Sequence, residues 1–198
     1  REHVARVCFL VPGLNLKLHD KRTSGSKPEQ FVATGGLGDY VDYLTIGEPV
    51  TDILTIHDKA EFSEKVPVDN KMKTVNRECT VDIAMRWVKG YETKIVSFVN
   101  TIPTSEGGTH VAGFDRALSW VVNKTLIAEA KKLKKLAKQG NDRATPSDIQ
   151  EGLVAAIKVT FPEPQFKGQT KQELGTPPIQ NIVYNSVKAG IENWIDGG

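Results

Sequence analysis

Apolar and polar residues alternate in several parts of the chain, and this spacing is typical of half-buried β-strands. "LNLKLHD" (14–20) predicts a first strand, and "FVAT" (31–34) predicts a second strand after a loop over 21–30. "GGLGDYVDYL" (35–44) then predicts a short helix. Two strands and one helix bury too little surface to be stable alone, so residues 1–46 are not expected to fold by themselves.

Three further strands are predicted in the next fifty residues. They are "DILTIHDKAEF" (52–62), "CTVDIAMRWV" (79–88) and "YETKIVSFVN" (91–100). The stretch 66–78 is polar and predicts a connector. Lys89–Gly90 predicts a tight turn that would pair the second strand with the third as a hairpin.

A long helix is predicted after the break at "TIPTSEGGTH" (101–110). Its apolar residues recur at three- and four-residue steps, namely Phe114, Leu118, Val121, Val122 and Thr125. Gly140 is a predicted C-terminal cap for this helix.

Three elements follow. Thr145 as a cap and Pro146 at the first helical position predict a short helical turn. "LVAAIKVTF" (153–161) predicts a buried strand, which ends where Pro162 and Pro164 cannot join a ladder. An amphipathic helix is predicted near the end, with one apolar face formed by Ile179, Val183, Val187, Ile191 and Trp194 or Ile195.

The order of these elements predicts an α+β fold, with one sheet covered on one face by helices. Gly47 and Pro49 mark a linker between a first region, 1–46, and a second region, 47–198.

Composition narrows the classes of protein. The chain has 198 residues, of which 39% are hydrophobic and 25% charged, as in ordinary globular proteins. Its net charge is only +2, so any contact with nucleic acid must depend on a local basic patch. No apolar run approaches the roughly 18 residues of a membrane span. The chain opens with neither Met nor an apolar leader, so we expect it to be a piece of a longer protein.

Cysteine and histidine usage favours neither disulfides nor zinc. Cys8 and Cys79 lack a CxxC spacing, and the histidines are scattered. Two reduced, buried cysteines are the expected arrangement, and no metal site is predicted.

Two glycine-rich turns resemble ligand-binding loops. "TGGLGDYV" (34–41) joins a strand to a helix, but Val41 stands where a dinucleotide loop needs its third glycine, which favours a flexible turn. Gly107 and Gly108 precede a helix N-terminus, where exposed N–H groups attract anions. Spacing alone favours an ordinary tight turn there, with His110 as a packing or hydrogen-bonding residue.

Basic residues cluster in the second half of the long helix. They are Lys131, Lys132, Lys134, Lys135 and Lys138. A solvated face is the simpler interpretation, and a patch that contacts phosphate backbones without base specificity is the functional one.

"QFKGQTKQELG" (165–175) places an amide, a hydroxyl and an ammonium in a row, at Gln169, Thr170 and Lys171. Such a trio in a loop can bind a phosphate, because the ammonium is a compact charge on a long stem. It is equally compatible with a polar surface turn.

Two long segments favour the phosphate-binding interpretation. "NTIPTSEGGTHVAGFDRAL" and "EGLVAAIKVTFPEPQFKGQTKQELG" closely resemble the transducer domain of the B subunit of bacterial type IIA topoisomerases, that is DNA gyrase and topoisomerase IV. "VCFLVPGLNLKLHDKR" and "GGLGDYVDYL" resemble the last strands and final helix of the preceding GHKL-type ATPase domain. The resemblance covers essentially the whole chain.

The resemblance implies specific roles. Lys171 would contact the γ-phosphate of ATP in the preceding domain, with Gln169 and Thr170 beside it, and the loop would sense hydrolysis. The fold would contain a left-handed βαβ crossover, shared with the second domain of small-subunit ribosomal protein five, although the general rule favours the opposite hand.

The family's catalytic glutamate, magnesium-binding asparagine and ATP lid would lie before Arg1. ATP and magnesium would therefore bind only the longer protein, and this chain alone would be inactive. The implied partners are the upstream ATPase domain, the downstream TOPRIM domain, the A subunit and double-stranded DNA. The whole assembly would be a cytoplasmic A2B2 enzyme, and this chain alone a monomer.

One position departs from the family. Members often carry an arginine directly after the Gly-Phe of the long helix, facing the DNA cavity, whereas Asp115 stands there in this chain. Cavity-facing roles could pass to nearby basic residues, and the candidates are Arg116, Lys124, Lys131 and Lys135.

A different class of function remains as the alternative, a stand-alone nucleic-acid-binding α+β domain that uses the lysine-rich helix. A repair ATPase of the MutL type fits the Gly-Gly-Thr-His and Gln-Thr-Lys segments less well. The residues do not separate gyrase from topoisomerase IV.

Overall fold

The computed structural model of the chain describes residues 1–22, 25–68, 71–133 and 143–197. Its helices and strands are, in chain order, α1 (Glu2–Leu10), β1 (Asn15–Leu18), β2 (Glu29–Val32), α2 (Leu37–Leu44), β3 (Leu54–Val68), β4 (Lys71–Trp87), β5 (Lys94–Val99), β6 (Ile102–Pro103), α3 (Thr109–Leu133), α4 (Pro146–Gln150), β7 (Leu153–Thr160) and α5 (Pro178–Ile195).

The strands form two sheets. β1 and β2 make an antiparallel pair, and the larger sheet has the order β3-β4-β7-β5-β6. All neighbours in the larger sheet are antiparallel except β5 and β7, which are parallel and are connected through α3 and α4. The α+β class predicted from the sequence is therefore confirmed.

Helices cover both faces of the larger sheet, so the prediction of one covered face is wrong. Along β7, Leu153, Ala155 and Ile157 belong to a core shared with α3 and α5. The alternate residues Val154 and Ala156 belong to a second core, shared with Leu10 of α1 and the buried residues of α2. A strand buried on both sides has an uninterrupted apolar sequence, which is what "LVAAI" shows.

The helix α2 and the end of α1 thus pack against the sheet. Tyr40, Val41 and Leu44 of α2 lie against β4 and β7 in this second core. The helix α1 was not predicted, and its last residues, Cys8–Leu10, lie in a stretch expected to form a strand. The helix is short and most of its residues are not buried, so its sequence lacks a clear repeat of apolar residues at helical spacing.

The strands β3 and β4 are longer than predicted. β3 continues to Val68 and β4 already begins at Lys71, so most of the predicted connector over 66–78 is strand. The outer part of β4 is exposed on both sides, so its residues show no alternation of apolar and polar types.

The predicted hairpin between β4 and β5 is also wrong, because β7 lies between these two strands. Lys89–Gly90 does end β4, but the chain then crosses to the far side of β7. The residues of a turn give no information on a strand about sixty residues later, and here that strand, β7, lies between β4 and β5.

The other predicted elements are confirmed, with small differences. Thr145 accepts a hydrogen bond from the backbone N–H of Asp148, and Pro146 occupies the first turn of α4. Trp194 and Ile195 at the end of α5 are 36% and 41% exposed rather than buried. Gly140, the predicted end of α3, lies outside the described residues. Both cysteines are buried and free, as expected.

Candidate functional site

The segment 165–176 leaves the sheet after β7 and folds back on itself as a narrow loop. The backbone N–H of Lys167 donates to the carbonyl of Glu173 (2.9 Å), and the N–H of Gly175 donates to the carbonyl of Gln165 (2.8 Å). The side chains of Lys167 and Glu173 add an ion pair at 2.6 Å. The base of the loop is therefore closed by hydrogen bonds, and its tip projects from the molecule.

Gln169, Thr170 and Lys171 occupy this tip, and all three are exposed. Lys171 has a φ of +57°, a left-handed conformation that is uncommon for residues other than glycine. Its Nζ lies 6.0 Å from the centroid of the Phe166 ring. Within the described part of the chain this ammonium pairs with no carboxylate. It is thus available to an anion brought from outside.

The turn containing Gly107 runs beside the loop and is bonded to it. The N–H of Glu106 donates to the carbonyl of Gln172, the N–H of Leu174 to the carbonyl of Gly107, and the N–H of Thr109 to the carbonyl of Leu174, each at 3.0 Å. The tight-turn interpretation is confirmed. These backbone groups bind the loop, and they connect it directly to the first residue of α3.

Gly108 permits this close approach. Its φ is +124°, and a Cβ there would overlap the backbone of Leu174, whose Cα would be only 2.8 Å away. A side chain would therefore be strained by the dihedral angle and would also displace the loop.

His110, the second residue of α3, is fully buried beneath this turn. Its Nε2 lies 3.1 Å from Oγ1 of Thr104, which is bonded in turn to the hydroxyl of Ser97 at 2.7 Å. Burial lowers the pKa of His110 to about 4, so the ring is neutral near pH 7. The prediction of a packing and hydrogen-bonding histidine is confirmed.

The other glycine-rich turn closes on itself. The N–H of Gly35 donates to Oδ2 of Asp39 (2.7 Å), a residue in the first turn of the helix that follows. Gly36 has a φ of +61°. Because Asp39 already occupies this donor with a carboxylate, the turn is not arranged to receive an anion.

The residues predicted to face DNA are found in different environments. Arg116 stacks over the ring of Tyr184, with 4.4 Å between the guanidinium carbon and the ring centroid. Lys124 pairs with Glu192 at 2.6 Å. Lys131 lies within α3, and Lys135 lies outside the described residues.

Asp115 does not share the surface of Arg116. Its carboxylate accepts a hydrogen bond from the side chain of Gln150 at 2.7 Å, and burial raises its pKa. The sequence did not indicate Lys188 on α5 as a neighbour of Lys124. The Nζ atoms of Lys188 and Lys124 lie 4.3 Å and 4.8 Å from the centroid of the Trp120 ring. Only the folding of α3 against α5 brings these two lysines together.

Across the described ranges, no group of three or more His, Cys, Asp or Glu side chains is arranged to hold a metal ion. In the same ranges, no helix has the length and apolar character needed to cross a membrane.

The fold and the sequence are similar to those of known proteins. The fold is similar to the 43K ATPase domain of Thermus thermophilus gyrase B, solved in complex with an aminocoumarin, with a TM-score of 0.72 and 26% identity over 99% of this chain and 47% of that one. The DNA gyrase B protein of Borreliella burgdorferi is 37% identical over 92% of this chain. That of Streptococcus pyogenes serotype M1 is 34% identical over 91%.

A family model described as DNA gyrase B matches residues 36–197. The chain therefore belongs to the DNA gyrase B family. It spans about a quarter of the length of these two curated relatives, 25% of the Streptococcus protein and 26% of the Borreliella protein.

Proposed function

We propose that this chain is the transducer segment of the B subunit of an ATP-dependent type IIA topoisomerase, preceded by the last elements of its ATPase domain. Residues 1–46 would belong to the ATPase domain and 47–198 to the transducer. In this proposal the crossover from β5 through α3 to β7 has the left-handed form expected from the family.

Lys171 would contribute the contact to the γ-phosphate of ATP, assisted by Gln169 and Thr170. The observation that carries this proposal is an exposed ammonium without a carboxylate partner in the described chain, on a loop whose base is closed by hydrogen bonds. These three side chains fit a phosphate, because all can donate hydrogen bonds and none is occupied by another part of the described chain. When bound, ATP with magnesium would supply the phosphoryl group whose loss the loop senses.

The bonded turn supports a route for the signal. A change at the tip of the loop would be transmitted through Gln172 and Leu174 to Glu106, Gly107 and Thr109, and so to the N-terminus of α3. The helix α3 carries Arg116 and Lys124 on its exposed side. ATP binding and hydrolysis would thereby be coupled to gate movement and to passage of double-stranded DNA, together with the A subunit.

Hydrolysis of ATP by the whole B subunit tests this proposal. Lys171→Ala should slow turnover by about 10²–10³-fold, since a positioned cation stabilises charge on the transferring phosphoryl group. Lys167→Ala is the matched control. This lysine lies in the same loop and its exposed ion pair with Glu173 contributes little. The backbone hydrogen bonds that close the loop are kept in this variant, so the rate should change little. Equal rates in the parent and Lys171→Ala would overturn the proposed role.

A further inference from the structure

Arg77 carries a charge that is buried at the point where the Lys171 loop leaves the sheet. It lies on β4 opposite Phe62 of β3, and its side chain is only 5% exposed. One guanidinium nitrogen donates to the carbonyl of Pro162 (2.5 Å) and another to the carboxylate of Glu163 (2.5 Å). A buried charge needs such partners, and these two lie in the segment that leads from β7 to the loop.

Glu64 connects the same arginine to the loop itself. Its Oε2 lies 3.3 Å from Nε of Arg77, close enough for an ion pair although not aligned for a hydrogen bond. Its Oε1 accepts a hydrogen bond from the side-chain amide of Gln165 at 2.6 Å. Gln165 is the residue whose carbonyl closes the base of the loop with Gly175.

The backbone that Arg77 binds is in an unusual conformation. Glu163 has a φ of +51°, which L-residues rarely adopt and which persists only where surrounding contacts impose it. Next to it, the ring of Phe161 packs edge-on against Phe62, with 5.8 Å between the centroids. Residues of β3 and β4 therefore contact both the backbone and the side chains of residues 161–163, where the chain leaves β7.

We propose that Arg77 and Glu64 form a clamp that sets the direction in which the loop carries Lys171 towards the nucleotide. This inference rests on the proposed function of Lys171. Both members are positioning residues, since neither belongs to the tip of the loop. Buried ion pairs contribute little net stability against apolar replacements, so a geometric role is the better account of this one.

The test uses ATP hydrolysis by the whole B subunit, with Arg77→Met as the principal variant. We expect kcat to fall by about tenfold, because small displacements of a reacting group lower rates sharply. Lys59→Met is the matched control, as Lys59 lies on the same hairpin in an exposed ion pair with Glu78 and should be neutral. If Arg77→Met does not fold, Gln165→Ala breaks the connection to Glu64 while keeping the backbone bonds.

A second measurement separates positioning from general stability. The clamp predicts faster hydrogen exchange at the amides of Lys167 and Gly175 in Arg77→Met than in Lys59→Met. It also predicts that Arg77→Met has no further effect on the rate in a Lys171→Ala background, since the two residues act in series.

The outcomes distinguish the two proposals. If Lys171→Ala is slow while Arg77→Met and Gln165→Ala hydrolyse ATP at the parent rate, the clamp is wrong and the role of Lys171 stands. An equal loss from Arg77→Met with and without Lys171 would also overturn the clamp, as a merely structural effect. An unchanged rate in Lys171→Ala would overturn the proposed function and the clamp with it.

Discussion

The pairs Gly35–Gly36 and Gly107–Gly108 each lead from a strand into a helix, yet they are held in different ways. The first is closed by Asp39, four residues further along the chain. The second is closed by Leu174, whose N–H and carbonyl bond the residues on either side of Gly108.

This difference determines what each turn can transmit. The first turn is bonded to its own helix, whereas the second is bonded to the loop that carries Lys171. Under the proposed function, the second turn would therefore respond to the nucleotide. Similar glycine-rich sequences are therefore held by different partners, and the partner of the second turn lies more than sixty residues away.

Gly108→Ala should break the second turn and have the largest effect. The new Cβ would overlap the backbone of Leu174 at a φ of +124°. We expect a loss of about 3–5 kcal/mol in the free energy of unfolding, from overpacking together with backbone strain. Urea denaturation measures this loss. A stability within about 1 kcal/mol of the parent would show that the loop moves away from the turn at little cost.

Acid should lower the free energy of unfolding, because His110 is buried in its neutral form beneath the second turn. Its pKa is about 4 in the folded chain against 6.5 when unperturbed, so the unfolded state binds the proton first as the pH falls. The stability held by the neutral ring is complete above pH 6.5 and is lost towards pH 4, by about 3 kcal/mol in total.

Urea denaturation of the parent and of His110→Gln between these pH values isolates this contribution from that of the carboxylates. The stability of His110→Gln should depend less steeply on pH. His3→Gln, at an exposed position, is the control and should follow the parent. Identical slopes for the parent and His110→Gln would contradict the prediction.

Gly35→Ala should have the smallest effect and complete the comparison. The atoms nearest to its Cβ would belong to the side chain of Asp39, which can rotate away. Loss of the hydrogen bond from the Gly35 N–H to Asp39 costs about 1 kcal/mol and is partly offset by the lower entropy of the unfolded chain. A loss as large as that of Gly108→Ala, measured in the same way, would remove the distinction between the two turns.

Sequence patterns predicted the elements whose signal is local. The buried run of β7, the capped turn at Thr145 and the apolar face of α5 each follow from residues close together in the chain. The order of the strands did not follow, because β7 enters between β4 and β5 through long-range pairing. The second covered face was also missed, since it is completed by α1 and α2, whose packing on the sheet is a long-range contact.

In the candidate site, too, local features were predicted and long-range contacts were not. Residue types and family resemblance were enough to select Gln169, Thr170 and Lys171. The bonds from the loop to Glu106 and Gly107 could not be predicted, because backbone groups leave no side-chain signature. The contacts of Arg77 were missed because it lies in a stretch interpreted as a polar connector.

The central claim is that Lys171 contacts the γ-phosphate, and nucleotide affinity tests it most directly. We would measure binding of a non-hydrolysable ATP analogue and of ADP to the whole B subunit, comparing the parent with Lys171→Ala. We predict that the variant binds the analogue about tenfold to a hundredfold more weakly, while its affinity for ADP is unchanged. An unchanged affinity for both nucleotides, or an equal loss for both, would contradict the claim.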